Sequence, residues 1–345
     1  MATSLKRASS RLALGLGALL LPLLALEIGA RQWFDPRPGD DLRRMTPNET
    51  NCLARSELLG MELAPRCAGV TFTETIRTNE LGLRDSPIRE DGARRILAIG
   101  DSCTYGWGLA QEDAYPQVLQ SLLDRQFGAE RFRVINAGVP GFTSHHGLLY
   151  LRERGLALHP EIVIFGFGFN DFWRAGNIEA ALESNRRFLP LIRFDDFLVR
   201  NSSFWRWLRV HNRRVFGREQ PQRMSLEDYQ RNITGIVEQA KAHGAHVLMI
   251  VFAVQNPAWE PHARDALALA ATLGIPVIRY DRATSDRVHP TKEGNAALAV
   301  EIQERLAAEG YLGDATARDP RITSGNPDRG ASAGSRRPAP ASGRL

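Results

Sequence analysis

The sequence is poor in cysteine, with three in 345 residues, and it contains no C-x-x-C pair and no His/Cys spacing of the kind that holds a metal. A structural zinc site is therefore not supported. The body of the chain also lacks an excess of either charge. The formal net charge is +5, but residues 1–30 hold +2 of it (Lys6, Arg7 and Arg11 against Glu27) and residues 313–345 hold +3, which leaves the stretch between them at about zero. Net charge thus gives no reason to expect a nucleic-acid partner. No internal repeat is visible. The tail, GDATARDPRITSGNPDRGASAGSRRPAPASGRL, has almost nothing apolar to bury and reads as disordered over 313–345.

Long apolar runs are scarce too. The one that stands out is LALGLGALLLPLLAL, residues 12–26, which follows Lys6, Arg7 and Arg11. Fifteen helical residues rise only roughly 22 Å, short of a hydrocarbon core of about 30 Å. Continuing the helix through Glu27 to Ala30 lengthens the span and brings Trp33 and Phe34 to the interface. A positive start before a short apolar core also fits a cleaved signal peptide, although Ile28 and Ala30 imitate a cleavage site only loosely. The expectation is a signal-anchor or transmembrane segment over 1–34, with cleavage as the alternative. Either way the rest of the chain is exported, on the periplasmic side of a cell membrane. Cys52 and Cys67 fit such a compartment as a bridge, leaving Cys103 over; three unrelated thiols is the other reading.

Residues 35–92 have no strong period and read as a membrane-proximal lead-in of short elements. A regular alternation follows. RRILAIGD (94–101), RFRVINAG (131–138), EIVIFGFG (161–168), HVLMIVFAV (246–254) and IPVIRY (275–280) are short apolar runs bounded by charge or glycine. Between and after them DAYPQVLQSLLDRQF, Ser144–Arg154, LEDYQRNITGIVEQAKAHG, EPHARDALALAATLG and TKEGNAALAVEIQERLAAEG have helical spacing. Strand and helix in alternation predict a parallel sheet covered on both faces, with right-handed crossovers. Residues 172–224, aromatic and Arg-rich, interrupt the pattern and read as an insertion of short helices and loops.

In such sheets ligands bind beyond the carboxyl ends of the strands. The first strand ends at Asp101-Ser102, the second runs into Gly138 and Gly141, and the third ends at Asn170-Asp171. DRVHP, with Asp286 and His289, follows the fifth. A serine hydroxyl becomes a nucleophile when histidine takes its proton, and a carboxylate holds that histidine in one tautomer. The N–H of Ser102, the N–H of Gly141 and the amide of Asn170 are three donors suited to a developing oxyanion. Taken singly each piece has a plainer explanation: Gly-Asp-Ser as a turn, Asn170-Asp171 as a helix cap, Asp286 and His289 as a surface pair. Their order along successive strand ends makes coincidence improbable. Asp171 is expected to support Asn170 structurally.

IGDSCTYGWG, NAGVPGFTS, GFGFND and DRVH, in that order, resemble the blocks of the SGNH (GDSL-type) hydrolases over about residues 94–310. NELGLRD (79–85) is similar to an upstream segment of membrane-anchored bacterial members. The resemblance implies a flavodoxin-like three-layer α/β/α sandwich with a five-stranded parallel sheet, in a hydrolase domain over 93–312. It also implies Ser102 as nucleophile, His289 and Asp286 as its partners, Gly141 rather than Gly138 as oxyanion glycine, and Asn170 as oxyanion amide. The activity implied is hydrolysis of acyl esters, with an acylated glycan or lipid among the substrate classes and no cofactor. Transfer of the acyl group to an envelope polysaccharide is the alternative, and a silent glycan-binding protein the third.

Several features are decoys. GASAG (330–334) matches G-x-S-x-G, but lies in the Arg/Pro-rich tail where no strand precedes Ser332. His145-His146 point apart on a helix and have no carboxylate cluster, so no metal is expected there. Cys103 is expected to be a buried, inert thiol. WRWLRVHNRR (205–214) fits a basic amphipathic stretch lying on lipid, or a surface helix packing its Trp and Leu inward.

Overall fold

The computed structural model describes residues 18, 20–33, 46–47, 51–71, 74–89, 92–174, 176–216, 222–253 and 259–313, with the side chains of 212–216 outside the described set. The tail beyond 313 and GASAG with its Ser332 lie outside these residues.

Five strands form one parallel sheet: β5 (Arg94–Gly100), β6 (Phe132–Gly138), β7 (Ile162–Gly166), β8 (His246–Phe252) and β9 (Val277–Tyr280), in the order β6-β5-β7-β8-β9. Each coincides with one of the five apolar runs, trimmed by a few residues at its ends. Side chains alternate between faces along a strand, and here the alternation divides the core in two. Leu97, Ile99, Val163, Phe165, Val247 and Met249 fill one face, while Ile96, Ala98, Ile162, Ile164, Leu248 and Ile250 fill the other. Fully burying one such side chain contributes about 1.5–3 kcal/mol, so both faces require cover.

That cover is helical. The second face is closed by α3 (Tyr115–Phe127) packed on α10 (Lys292–Ala308), through Leu119, Leu123, Leu298 and Ile302. The first is closed by α4 (Ser144–Tyr150), α8 (Leu226–Ala242) and α9 (Glu260–Thr272). The order in which strands are added reverses at β5: β6 lies on one side of it and β7, β8 and β9 follow on the other. The crevice between β5 and β7 is thus the topological switch point, where doubly wound sheets bind ligands. Ser102 follows β5 and Asn170 follows β7.

The lead-in folds as two hairpins, β1 (Leu53–Ser56) with β2 (Gly60–Leu63) and β3 (Ala68–Thr71) with β4 (Glu74–Arg77). Cys52 and Cys67 are disulfide-bonded, with Cα atoms 5.6 Å apart, and Cys103 is free and buried. The lead-in is built into the α/β body. Asp85 takes the edge-strand N–H of Asn136 (2.9 Å) and pairs with Arg133 (2.8 Å), while Gln120 Oε1 takes the N–H of Val134 (2.7 Å).

The insertion corrects the expectation of short helices and loops. It holds two substantial helices, α6 (Ile178–Asn201) and α7 (Ser203–Phe216). The helical backbone of α6 breaks only at Phe188, two residues before Pro190, the residue that cannot donate to the helical ladder. What supports α6 is a long-range contact that sequence periodicity does not reveal. Arg55 of β1 forms a bidentate pair with Asp196 (both bonds 2.7 Å), and Asn185 donates to Ser56 O (2.8 Å). The chain enters and leaves the insertion at one neck, where Arg174 bridges to Gln222 and Arg223 N donates to Trp173 O (3.0 Å).

Ahead of the hairpins lies a helix over residues 20–33, α1, running three residues past Ala30. No helix among the described residues is long and apolar enough to cross a membrane. Residues 1–17, on which the longer span depends, lie outside the described set.

Candidate active site

Asp101, at the end of β5, caps the short helix α2 (Ser102–Tyr105): its Oδ1 accepts the N–H of Cys103 at 2.8 Å. Ser102 is thereby fixed as the first residue of that helix, where no helical carbonyl is available to its own N–H. Its side chain stays near the surface of the crevice, with 8% of the residue accessible.

The turn after β9 delivers the partners. Asp286 Oδ1 accepts the backbone N–H groups of Val288 (3.1 Å) and His289 (2.9 Å), which folds DRVH into a tight loop with Arg287 at φ 72°. Asp286 Oδ2 is 2.6 Å from His289 Nδ1, and His289 Nε2 is 2.8 Å from Ser102 Oγ. Burial pushes the Asp286 carboxyl up, but the three hydrogen bonds from the His289 backbone, the His289 ring and Val288 outweigh it and hold it below the usual carboxylate range. An ionised carboxylate only accepts. Nδ1 therefore carries the proton, and Nε2 is left to accept from the serine hydroxyl. Asp286 remains half-exposed, 48% of its side chain against 13% for His289.

The amide of Asn170 sits in α5 (Phe169–Phe172), directly after β7. Its Nδ2 donates to Asp101 Oδ2 and to Phe142 O, both at 3.1 Å. It thus spans the residue before Ser102 and the residue after Gly141. Gly141 adopts φ +85°, a left-handed conformation that a Cβ would strain, and nothing crowds it. Gly138 is different. A Cβ there would run into the backbone N of Tyr105, so this glycine sets the approach of α2 to β6. Four of the five residues singled out from sequence, Ser102, Asp286, His289 and Asn170, are joined by these contacts directly or through Asp101, and Gly141 adjoins Phe142.

Asp171 supports Asn170 through the helix they share: its Oδ1 accepts from Ser144 N (2.8 Å) and Ser144 Oγ (2.5 Å), tying α5 to the start of α4. Burial pushes its carboxyl up to about 7. His146 closes a capping box with Thr143, stacks on Phe142 and is pushed by burial down to about 3. Cys103 is buried, its Sγ 3.8 Å from Val288 O, and burial raises its thiol well above the ordinary range. Among the described residues there is no cluster of three or more His, Cys, Asp or Glu side chains suited to a metal.

Three residues at the site have roles that the sequence alone does not give, although Arg84 and Trp107 lie within NELGLRD and IGDSCTYGWG. Trp107 stacks on the His289 ring, centroids 5.2 Å apart and planes at 15°. Arg84, fully buried, donates to the carbonyls of Tyr105 (2.7 Å), Gly106 (2.8 Å) and Leu109 (2.5 Å), bracing the loop that carries Trp107. Arg223, at the insertion neck, donates to Gly141 O at 2.9 Å. Trp107 belongs to the IGDSCTYGWG block, but no spacing rule marks a ring that will stack on a residue 182 positions away. Phe169, the residue before Asn170, lines a narrow crevice with Phe172, Phe252, Trp259 and His262.

A doubly wound sheet with serine, histidine and carboxylate in hydrogen-bonded series at its switch point is the arrangement of an acyl-ester hydrolase. The model of the GDSL-like lipase/acylhydrolase family matches residues 98–297, more than half of the chain, and the chain belongs to that family of ester hydrolases. Similar solved structures include TesA (20% identity, covering 62% of this chain and 99% of that one, TM-score 0.42). The psychrotrophic esterase EstA from Pseudoalteromonas sp. is 17% identical (64% and 100% covered, TM-score 0.42). The acetyl xylan esterase AlAXEase is also 17% identical (61% and 98% covered, TM-score 0.42). No curated protein matches the chain by sequence.

Proposed function

We propose that this chain is an exported, membrane-tethered serine esterase that hydrolyses acyl esters. The observation that carries the reading is the unbroken series Asp286 Oδ2, His289 Nδ1, His289 Nε2, Ser102 Oγ, with links of 2.6 and 2.8 Å. As the Ser102 oxygen bonds to the ester carbonyl carbon, its proton passes to Nε2 and the carbonyl π electrons move onto oxygen. The N–H groups of Ser102 and Gly141 and the Asn170 amide hold that oxyanion. Both Nδ2 hydrogens of Asn170 are engaged here, so the amide redirects one of them as charge develops. Collapse breaks the ester C–O bond, the leaving alcohol takes the proton from Nε2, and an acyl-serine remains. Water, deprotonated by the same Nε2, then releases the acid and restores Ser102. Asp286 and the Trp107 face stabilise the imidazolium that exists in both halves.

Export is supported by the basic residues before the apolar run and by the Cys52–Cys67 disulfide, a bond that persists in oxidising compartments. Tethering is supported by α1, whose Leu20, Leu21, Leu23, Leu24, Leu26 and Ile28 are all exposed. Transfer to a sugar hydroxyl uses the same residues, with that hydroxyl replacing water; the insertion neck beside Gly141 offers an acceptor a place to lie.

The test is turnover of chromogenic acyl esters of graded chain length, with and without a glycan acceptor. The series reads out which chain length is cleaved fastest, and Ser102→Ala is expected to abolish cleavage of every member. Undiminished turnover by Ser102→Ala would refute the reading. Acylated glycan among the products would favour transfer.

A further inference from the structure

The insertion helix α6 has two faces of different character. Its inner face is satisfied: Ile178, Leu182, Asn185, Leu189, Asp196 and Val199 are buried against the body. Its outer face is not. From the break at Phe188 onward it carries Phe188, Leu191, Phe194 and Phe197, with exposures from 44% at Phe188 to 65% at Leu191. The Phe194 and Phe197 rings lie near-parallel, centroids 6.5 Å apart. Leu191, Phe194 and Phe197, three residues apart, wind round about a third of the helix, with Phe188 at the break before them; exposed large apolar side chains gathered in this way mark an interaction site, unlike the single exposed leucines of ordinary surfaces.

Charge on α6 is sorted in the same way. Both acids of the second half turn away from the patch and are paired, Asp196 with Arg55 and Asp195 with Trp205 and Arg209. Arg187 and Arg193 are exposed, as is Arg186, which faces Glu183 at 4.0 Å, and the Arg187 guanidinium lies over the Phe188 ring. An apolar strip flanked by arginines is complementary to a phospholipid surface, with acyl chains for the rings and phosphates for the guanidiniums.

The apolar N-terminal helix is anchored at the end of the same helix. Glu27 of α1 accepts from Ser202 Oγ (2.7 Å), Ser203 N (2.9 Å) and Phe204 N (3.1 Å), which caps α7 and pins α1 to the end of α6. Phe197 is five residues, roughly 7 Å of helix rise, from that pin, and the patch extends roughly 13 Å further to Phe188. The leucines of α1 and the patch of α6 therefore belong to one corner of the molecule.

We infer that the outer face of α6 lies on the phospholipid bilayer as a second foot beside α1, seating Phe188, Leu191, Phe194 and Phe197 in the headgroup–acyl boundary. This rests on the tethered reading of α1. Two feet fix orientation where one leaves the body free to swivel. Because the insertion neck reaches Gly141 through Arg223, the open side of the active site is held at a set attitude to the membrane.

The test uses the full chain in vesicles of phosphatidylethanolamine and phosphatidylglycerol. Phe194→Cys, or separately Leu24→Cys, is labelled with the fluorophore NBD; Cys103 is buried and the other cysteines are bonded. Cleavage of a soluble acyl ester confirms that each variant is folded. The label at 194 is expected to shift to the blue and to lose at least half its emission to lipids spin-labelled near the headgroup. Water-like emission at 194 with quenching at 24 overturns the second foot and keeps the tether. Absence of quenching at both overturns both. Quenching at 194 alone supports the foot and overturns the tether. A blue shift at 194 without vesicles, together with a doubled hydrodynamic mass, assigns the patch to a second copy of this chain and overturns the inference.

Discussion

The indole of Trp107 lies flat against the imidazole of His289, ring centroids 5.2 Å apart and planes at 15°. A π face beside a ring that becomes cationic in each half-reaction stabilises the charged form by about 0.5–2 kcal/mol. Trp107→Leu is expected to lower kcat about 3- to 30-fold with little change in KM, and Trp107→Phe to restore most of it. Steady-state kinetics on a soluble ester decide. A change confined to KM would mean that the indole touches substrate instead.

Asn170→Ala removes one oxyanion donor and is expected to lower kcat by about 100- to 1,000-fold. It also leaves Asp101 Oδ2, which burial already pushes above the ordinary carboxylate range, without its amide partner. A fall in thermal stability of about 1–3 kcal/mol should therefore accompany the loss of rate. Calorimetry beside kinetics separates the two. Unchanged kcat would remove Asn170 from the oxyanion site.

Arg84 is a lead-in residue whose guanidinium holds three carbonyls of the loop after the serine. Arg84→Met keeps the bulk but withdraws the guanidinium from all three; the Gly106 carbonyl keeps the Leu109 N–H at 3.2 Å, and each lost bond costs about 1–3 kcal/mol. The expected outcome is a lower Tm together with a kcat reduced at least tenfold. A variant that melts early but turns over normally would show that the brace does not reach Trp107.

Burial raises Asp171 to about 7, so between its ordinary value of 3.8 and about 7 the folded protein holds a proton that the unfolded chain has lost. Stability from this group is complete below 3.8 and declines as pH rises through that window, by up to about 1.4 kcal/mol per pH unit. Asp171→Asn keeps an oxygen for Ser144 and has no charge to bury. Its Tm relative to the unaltered protein is expected to improve from about pH 4.5 to about pH 8. An equal difference at both pH values would show that Asp171 does not titrate there.

The strands and helices of the hydrolase body are legible in the sequence because each has one period and one buried face. All five apolar runs are strands of the sheet, and DAYPQVLQSLLDRQF is α3 with its Pro116 in the first turn, where it costs no hydrogen bond. Ser102, Asp286 and His289 are legible as types at strand ends. The helix α6 is not, because Pro190 and its charges mask a helix whose support comes from Asp196 meeting Arg55, 141 positions away. The partner of Asp171 is hidden for a related reason: adjacency to Asn170 in sequence says nothing of which way a side chain leaves a helix. Arg84 and Trp107 act through contacts that only the assembled fold creates.

Asp85 and Gln120 take the outward N–H groups of Asn136 and Val134 on β6, the outermost strand on that side of the sheet. Outer strands ordinarily invite strand addition and, with it, fibrils or edge-to-edge dimers. Here two donors that a foreign strand would need are already spent on side chains of the same molecule. Self-association along this flank would first have to break both bonds, one of them to a carboxyl enclosed by the lead-in. At high concentration the protein is thereby protected on this flank against the commonest aggregation route of an open sheet.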